Sequence, residues 1–420
     1  MSLRPDRVEL PGGGRVLLLP NPASSFLSFH GSLPAGVAAE APGEEGVAEF
    51  LCRLLPSGTG RWTARQVAEG LEGLGATLEF IQAEDIVVFR GRCTRRAAAK
   101  VLAIAADCLT NPALPAKEVE RVRAEILTDL ERERDSTRER ADRELLSLVY
   151  PDGHPYGRDP KADPERVKGI EPRALFEFHA RAHAGPGLIL GLSGDVDRVF
   201  VESTVARAFA GLPKGVPPPP PPAPGPAPAA SRFVNLPHKS QVDVALGLQA
   251  ISRSDPDYYA LSLANLMFGV IGMYGRLGAS VREDKGLAYY SYSRLRALRH
   301  GGHWGLFAGV NPERLEPALA AVAAELDRLR SEPFTDDEIK TAKLHEVGGL
   351  IVNLERNAEV AGALHGIELH DLGLDYLERF PRIVNGLTRE AILAATERYL
   401  RRRDGSLVVV GPVGGRTFSL

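Results

Sequence analysis

Cysteine is scarce in this chain: three among 420 residues, Cys52, Cys93 and Cys108, with no C-x-x-C pair. Each sits inside an apolar or helical pattern, so they read as small buried hydrophobes rather than a disulfide framework or redox pair. No apolar run approaches the roughly 20 residues that a membrane-spanning helix needs. The opening stretch, MSLRPDRVELPGGGRV, lacks the apolar core of a secretory leader. An excess of one charge is missing too. The 51 basic and 54 acidic residues leave a net charge of -3, so there is no electrostatic case for nucleic acid or an anionic membrane as partner. The expected compartment is cytoplasmic, or periplasmic if a leader has been removed. What remains, 44% hydrophobic and 25% charged residues, is an ordinary globular composition, and the length allows two or more domains.

Along the chain, Arg15 to Leu19 and Phe26 to Leu33 read as strands joined by a Pro20-Asn21-Pro22 turn. Gly43 to Leu55 has helical spacing, with Val47, Phe50, Leu51, Leu54 and Leu55 on one face, and Pro56-Ser57-Gly58 stops it. Thr63 is placed to cap a second helix. Ala76 to Ile81 and Asp85 to Cys93 alternate as paired strands, and Arg95 to Leu109 follows as an amphipathic helix. Pro115 to about Tyr150 is a long charged helical region whose alternating acids and bases read as a solvated face. Pro213 to Ala230, PKGVPPPPPPAPGPAPAA, supports neither helix nor sheet and reads as a semi-rigid polyproline spacer. After it the pattern starts over: a strand at Ser240 to Ile251, two helices, strands at Leu287 to Leu295 and Gly302 to Val310, then long helices. LTREAILAATERYLRRRDGSLVVVGPVG near the end echoes EPRALFEFHARAHAGPGLILGLSGDVD in the first half. The chain is therefore expected to be α+β, with two homologous domains at 1–212 and 231–420 around a linker at 213–230. Each domain should be a mostly antiparallel sheet packed against helices.

The stretch Gly43 to Thr59, GEEGVAEFLCRLLPSGT, has the form of an inverted zinc-peptidase helix without its chemistry. The signature H-x-x-E-H would fall on Glu49, Phe50, Leu51, Cys52 and Arg53, so both histidines and the general-base glutamate are missing. With VELPGGGRVLLLPNP, GHPYGRDP (Gly153 to Pro160), LSGDVD and VREDKGLAYYSYS, the chain resembles the pitrilysin family of inverted zinc peptidases over nearly its whole length. That family includes insulin-degrading enzyme, the mitochondrial processing peptidase and the core proteins of the respiratory cytochrome bc1 complex.

The resemblance implies two constellations. In active relatives the histidines, four apart on one helical face, hold zinc together with a downstream glutamate; three protein ligands leave a position for water, whose pKa the metal lowers. Here that glutamate matches Glu125, with Glu118 as its companion, but Arg53 puts a permanent cation where the metal belongs. The expectation is no metal and no cofactor in this chain, an Arg53–Glu125 ion pair filling the place, and zinc in a partner subunit. A novel Glu49–Cys52–Glu125 metal site is the weaker alternative. The second constellation is an arginine and a tyrosine seven apart that hydrogen-bond substrate backbone and the developing oxyanion; the match is Arg282 and Tyr289. Gly269, Gly272 and Gly275 resemble the mobile glycine-rich segment of the mitochondrial noncatalytic subunit, with tight helix packing as the competing reading.

The resemblance therefore implies a noncatalytic subunit of a heteromeric zinc metallopeptidase. Its partners would be a zinc-bearing homologous subunit and a peptide substrate, and the chain could pair with itself in isolation. The alternative is a structural or peptide-binding scaffold like the respiratory core proteins. His300 and His303 read as surface histidines in a turn, His365 and His370 have the wrong spacing for one helical face, and His154 reads as structural.

Overall fold

The computed structural model describes residues 3–271 and 275–419. Two compact units emerge, and they are interleaved along the chain. The first comprises Met1–Leu130, Asp159–Pro221 and Gly349–Arg379; the second comprises Glu131–Arg158, Pro222–Gly348 and Phe380–Leu420.

The first unit holds a six-stranded sheet: β1 (Asp6–Glu9), β2 (Arg15–Pro20), β3 (Phe26–Leu33), β4 (Thr77–Gln82), β5 (Val87–Thr94) and β6 (Ile189–Gly194), in the order β1-β2-β6-β3-β5-β4. Only β2 and β6 run parallel. β2 and β3 are strands as expected, but they do not form a hairpin. β6, buried at all six residues, lies between them, because a strand apolar on both faces belongs at the centre of a sheet.

The second unit repeats the plan. β7 (Ser231–Asn235), β8 (Val242–Ala250), β9 (Ala288–Ala297), β10 (Gly302–Val310) and β11 (Ser406–Gly411) follow the order β7-β11-β8-β10-β9, again with one parallel pair, β7 and β11. Strand for strand this matches β2-β6-β3-β5-β4, so the internal repeat in the sequence is a repeat of topology.

The helices carry the differences from expectation. α1 spans Val47–Leu54, starting later than Gly43 because Gly43 and Gly46 take φ of +92° and +88°, outside the helical region. α2 (Ala64–Glu72) begins at Thr63 with the reciprocal Thr63–Gln66 capping box, and α3 spans Ala98–Thr110. The charged region splits into α4 (Ala116–Asp135) and α5 (Thr137–Val149) at Ser136, whose hydroxyl accepts from the Glu139 backbone N–H at 3.2 Å. The split has a packing role. α5 belongs to the second unit although it precedes the proline segment, and it lies on β8 and β11 there, where Leu145 covers Gly247; a Cβ on Gly247 would sit 2.8 Å from the Leu145 side chain. In exchange, the helix Asn357–Leu369 packs on β2, β3 and β6 of the first unit. A Cβ on Gly191 would fall 2.1 Å from the carbonyl oxygen of Ala361, so only glycine admits that helix. Residues 213–230 carry no helix or strand, as expected of the proline spacer, but the halves it separates are not the compact units. Apolar periodicity shows that a helix has a face to bury; it does not say which sheet receives it.

All three cysteines are buried and unpaired. His303 is not on the surface. It lies in β10 at 4% exposure, 3.2 Å from the Tyr150 hydroxyl, and burial pushes its pKa down to about 3. The turn is closed by Leu298 N–H to Gly301 O at 2.9 Å; β10 then starts at Gly302, and its pairing carries the second histidine inward. His154 is structural: its Nδ1 accepts from the Tyr156 N–H and its Nε2 lies 3.0 Å from the Pro222 carbonyl.

Candidate functional site

In the first unit α1 and α4 bring together the residues at the positions of the inverted zinc-peptidase motif. Glu49 and Arg53, four apart, share one face of α1. α4 presents Glu118, Arg121, Glu125 and Asp129, spaced three, four and four, along one face. Arg53 Nε donates to Glu49 Oε1 at 2.6 Å and its Nη1 to Asp129 Oδ2 at 2.8 Å. Arg121 Nε donates to Glu118 Oε2 at 2.7 Å, its Nη1 to Glu125 Oε1 at 2.6 Å and its Nη2 to Ser57 Oγ at 3.3 Å. Two guanidinium forks thus hold four carboxylates.

The expected Arg53–Glu125 pair is not formed. Arg121 lies one helical turn before Glu125 on the same helix and takes it, while Arg53 reaches along α4 to Asp129. Both arginines and Asp129 shape this site, and Arg121 and Asp129 went unread in the sequence. The available signal was the charge spacing in KEVERVRAEILTD, which matches i,i+3 and i,i+4 pairing.

The electrostatics follow from these bonds. Burial works against the Arg53 charge, but its hydrogen bond to Asp129 and the Glu49 charge outweigh that and raise its pKa. Arg121 is raised mainly by its hydrogen bond to Glu118. Burial, with Glu49 adding, pushes the Cys52 thiol well above its ordinary range, so it stays protonated and is a poor thiolate ligand or nucleophile. Glu49, Cys52 and Glu125 do not converge: among the described residues no group of three His, Cys, Asp or Glu is placed to hold a metal ion.

The second unit carries Arg282 and Tyr289. A π-helical turn, Gly278–Asp284, ends at Lys285, and Gly286 at φ +57° reverses the chain. The turn is closed by Gly286 N–H to Arg282 O at 3.1 Å and Leu287 N–H to Val281 O at 3.0 Å. Arg282 therefore stands on the last helical turn and Tyr289 is the second residue of β9, an edge strand of its sheet. Arg282 is half exposed, with Glu283 as its ion-pair neighbour at 3.6 Å; Tyr289 is 59% exposed. Its neighbour Tyr290, on the opposite face, is tied down. The Tyr290 hydroxyl donates to the buried Asp243, which also accepts from Thr137 and Gln241. The Arg138 guanidinium lies 4.8 Å from the Tyr290 ring centroid. Burial and that anion push the Tyr290 pKa up. Tyr290 anchors the strand, while Tyr289 before it stays exposed.

Gly269 is buried, and a Cβ there would lie 2.5 Å from Ser293 Oγ on β9. A Cβ on Gly275 would lie 3.0 Å from the Phe268 carbonyl oxygen. Both contacts favour close packing. Gly272 lies outside the described residues.

With this geometry in hand, the comparisons are specific. The family described as "Insulinase (Peptidase family M16)" matches residues 15–155 and "Peptidase M16 inactive domain" matches 169–344. An uncharacterized zinc protease of Mycobacterium tuberculosis is 27% identical over 418 residues, covering 99% of this chain and 95% of the relative. The mitochondrial-processing peptidase subunit beta of Saccharomyces cerevisiae is 23% identical over 430 residues, covering 96% and 90%. Among solved structures, a peptidase M16 inactive domain from Pseudomonas fluorescens superposes with a TM-score of 0.91 at 28% identity, covering 97% of this chain and 98% of the other. A protease from Helicobacter pylori, at TM-score 0.89 and 20% identity, shares the fold. Two copies of one topology, together with these matches over nearly the whole chain, place it in peptidase family M16, the insulinase or pitrilysin family.

Proposed function

We propose that this chain is a noncatalytic subunit of a heteromeric zinc metallopeptidase, and that it supplies Arg282 and Tyr289 to substrate while a homologous partner holds the metal. One observation carries the reading: the two constellations have had opposite fates. The positions of the zinc helix are closed by guanidinium–carboxylate pairs, whereas Arg282 and Tyr289 stand exposed.

Zinc does not fit the first constellation. It takes neutral imidazole, thiolate or free carboxylate donors. Here Glu49, Glu118, Glu125 and Asp129 are engaged by arginines that cannot deprotonate, and Cys52 keeps its proton. Binding a divalent cation would require displacing Arg53 or Arg121 against like-charge repulsion. No step is therefore assigned to metal chemistry in this chain.

The residues that remain can bind and orient. The Arg282 guanidinium offers up to five N–H donors and the Tyr289 phenol one O–H donor. Donors fixed on a helix end and an edge strand suit the carbonyls of an extended peptide and the negative charge that grows on a scissile carbonyl oxygen. The Tyr290–Asp243 anchor fixes the strand from which Tyr289 projects, lowering the reorganisation needed when substrate arrives.

The test is reconstitution with the zinc-bearing partner. Arg282→Ala or Tyr289→Phe should lower kcat by one to three orders of magnitude, the scale of losing an oxyanion donor. Turnover unchanged in both variants would remove the catalytic role and leave a scaffold.

A further inference from the structure

A cavity of about 350 Å³ in the first unit lies between α3 and the segment 201–211, and no part of the peptidase reading uses it. Its walls are small. α3 contributes Ala99, Ala103 and Ala106, spaced four and three along one helical face. At one end a Cβ on Gly211 would already lie 3.1 Å from Thr110 Cγ2, so the crevice is closed there.

The floor is polar and incompletely paired. Asp107 is 5% exposed. Its Oδ1 accepts from Asn111 Nδ2 at 2.9 Å and faces Arg61 Nε at 3.8 Å. Its Oδ2 is buried without a hydrogen-bond partner, and so is Thr110 Oγ1, one turn along the same helix. A carboxylate oxygen left unpaired away from water is costly, and such atoms in folded proteins call for an explanation. On the facing wall Arg207 is exposed, with no ion-pair partner among the described residues. A buried unpaired anion oxygen, a neighbouring hydroxyl, methyl-lined walls and a free cation on the far side form one complementary pattern.

We propose that this cavity is a binding site for a short zwitterionic peptide of dipeptide size. The peptide ammonium donates to Asp107 and Thr110, its carboxylate pairs with Arg207, and small side chains lie against the alanine walls. The charges require both ends. A simple anion would satisfy Arg207 but leave Asp107 unpaired and repelled, and a simple amine would do the reverse. The volume sits at the lower end of the roughly 300–1,000 Å³ of small-molecule pockets, which favours a dipeptide over a longer chain. The site is independent of whether the chain serves a metallopeptidase.

The experiment is titration calorimetry of the full chain with dialanine, N-acetyl-dialanine and inorganic phosphate, on the parent protein and on Asp107→Asn, Arg207→Gln and Ala103→Leu. Dialanine should bind, and N-acetylation, Asp107→Asn and Arg207→Gln should each weaken it at least about tenfold, the loss of one charge-assisted contact. Ala103→Leu should abolish binding by filling the cavity while leaving every polar group in place. Arg207 and Ala103 are not core positions, so melting temperatures close to the parent's will certify those two variants even if Asp107→Asn folds poorly. No dialanine binding, equal binding after acetylation, binding that survives Ala103→Leu, or phosphate displacing dialanine at similar affinity would each overturn the proposal.

Discussion

Removing Arg53 tests what the guanidinium–carboxylate cluster between α1 and α4 contributes. Its side chain is 26% exposed and holds Glu49, at 15%, and Asp129, at 30%. Arg53→Ala would leave two partly buried carboxylates facing each other across the space it vacates. Breaking a fully buried pair costs about 3–5 kcal/mol, and a fully exposed one about 0.2–1 kcal/mol. The exposures here lie between those limits, so the expected loss is about 1–3 kcal/mol, from an unpaired carboxylate and like-charge repulsion. Arg53→Lys keeps the charge but not the fork that reaches both partners, so it should recover only part of the loss. Adding Glu49→Gln to Arg53→Ala should also recover part of it, because the stranded charge is gone; the coupling belongs to that pair. Urea unfolding followed by circular dichroism, reading the first transition, measures all four proteins. Arg53→Ala within about 0.3 kcal/mol of the parent would refute the reasoning and reduce the cluster to an inert surface network.

Three further outcomes follow from particular contacts. Gly191→Ala, whose Cβ would meet the Ala361 carbonyl at 2.1 Å, should cost about 1–3 kcal/mol by pushing the helix Asn357–Leu369 off its sheet. Gly366→Ala on that same helix, with nothing within 4 Å, should gain roughly 0.5–1 kcal/mol; equal effects in thermal melts would refute the packing account. His303 has its pKa lowered by burial from 6.5 to about 3, so the unfolded chain takes up a proton there before the folded chain does. Stability should therefore fall as pH drops from about 6.5 toward 3, by at most about 1.4 kcal/mol per pH unit for this residue, and His303→Gln should flatten that slope in pH-dependent denaturation.

The strands were legible where alternation and turn residues agreed. β3 and β10 fall on their expected bounds, the β4–β5 hairpin was read as a pair, and β9 was read as a strand that starts one residue early and stops two short. The sheet order was not legible, because β6 enters between β2 and β3 after 155 residues of intervening chain, a pairing no local pattern specifies. The exchange of α5 and the helix Asn357–Leu369 was hidden for the same reason, although Gly191 and Gly247 mark the places where each helix crosses. At the site, the motif positions Glu49, Cys52, Arg53 and Glu125, and the pair Arg282 and Tyr289, were read from the family resemblance rather than from local pattern. The choice of ion-pair partner was not legible. Glu125 had Arg53 as a candidate by family position, but Arg121, four residues away on the same helix, reaches it at no cost in chain closure. His303 was misread because its Gly-Gly turn suggested exposure, while the strand it opens is buried at every residue.

The central claim is that this chain carries no catalytic metal and lends its Arg/Tyr pair to a partner that does. The most direct measurement is the zinc content of the purified full chain after exhaustive dialysis against zinc-free buffer, alongside the same assay on Arg53→His. Near-zero zinc in both is the expected result, since Arg121 still engages Glu118 and Glu125 in the variant. About one tightly held zinc per parent chain would contradict the account and make Glu49, Cys52 and Glu125 metal ligands after all.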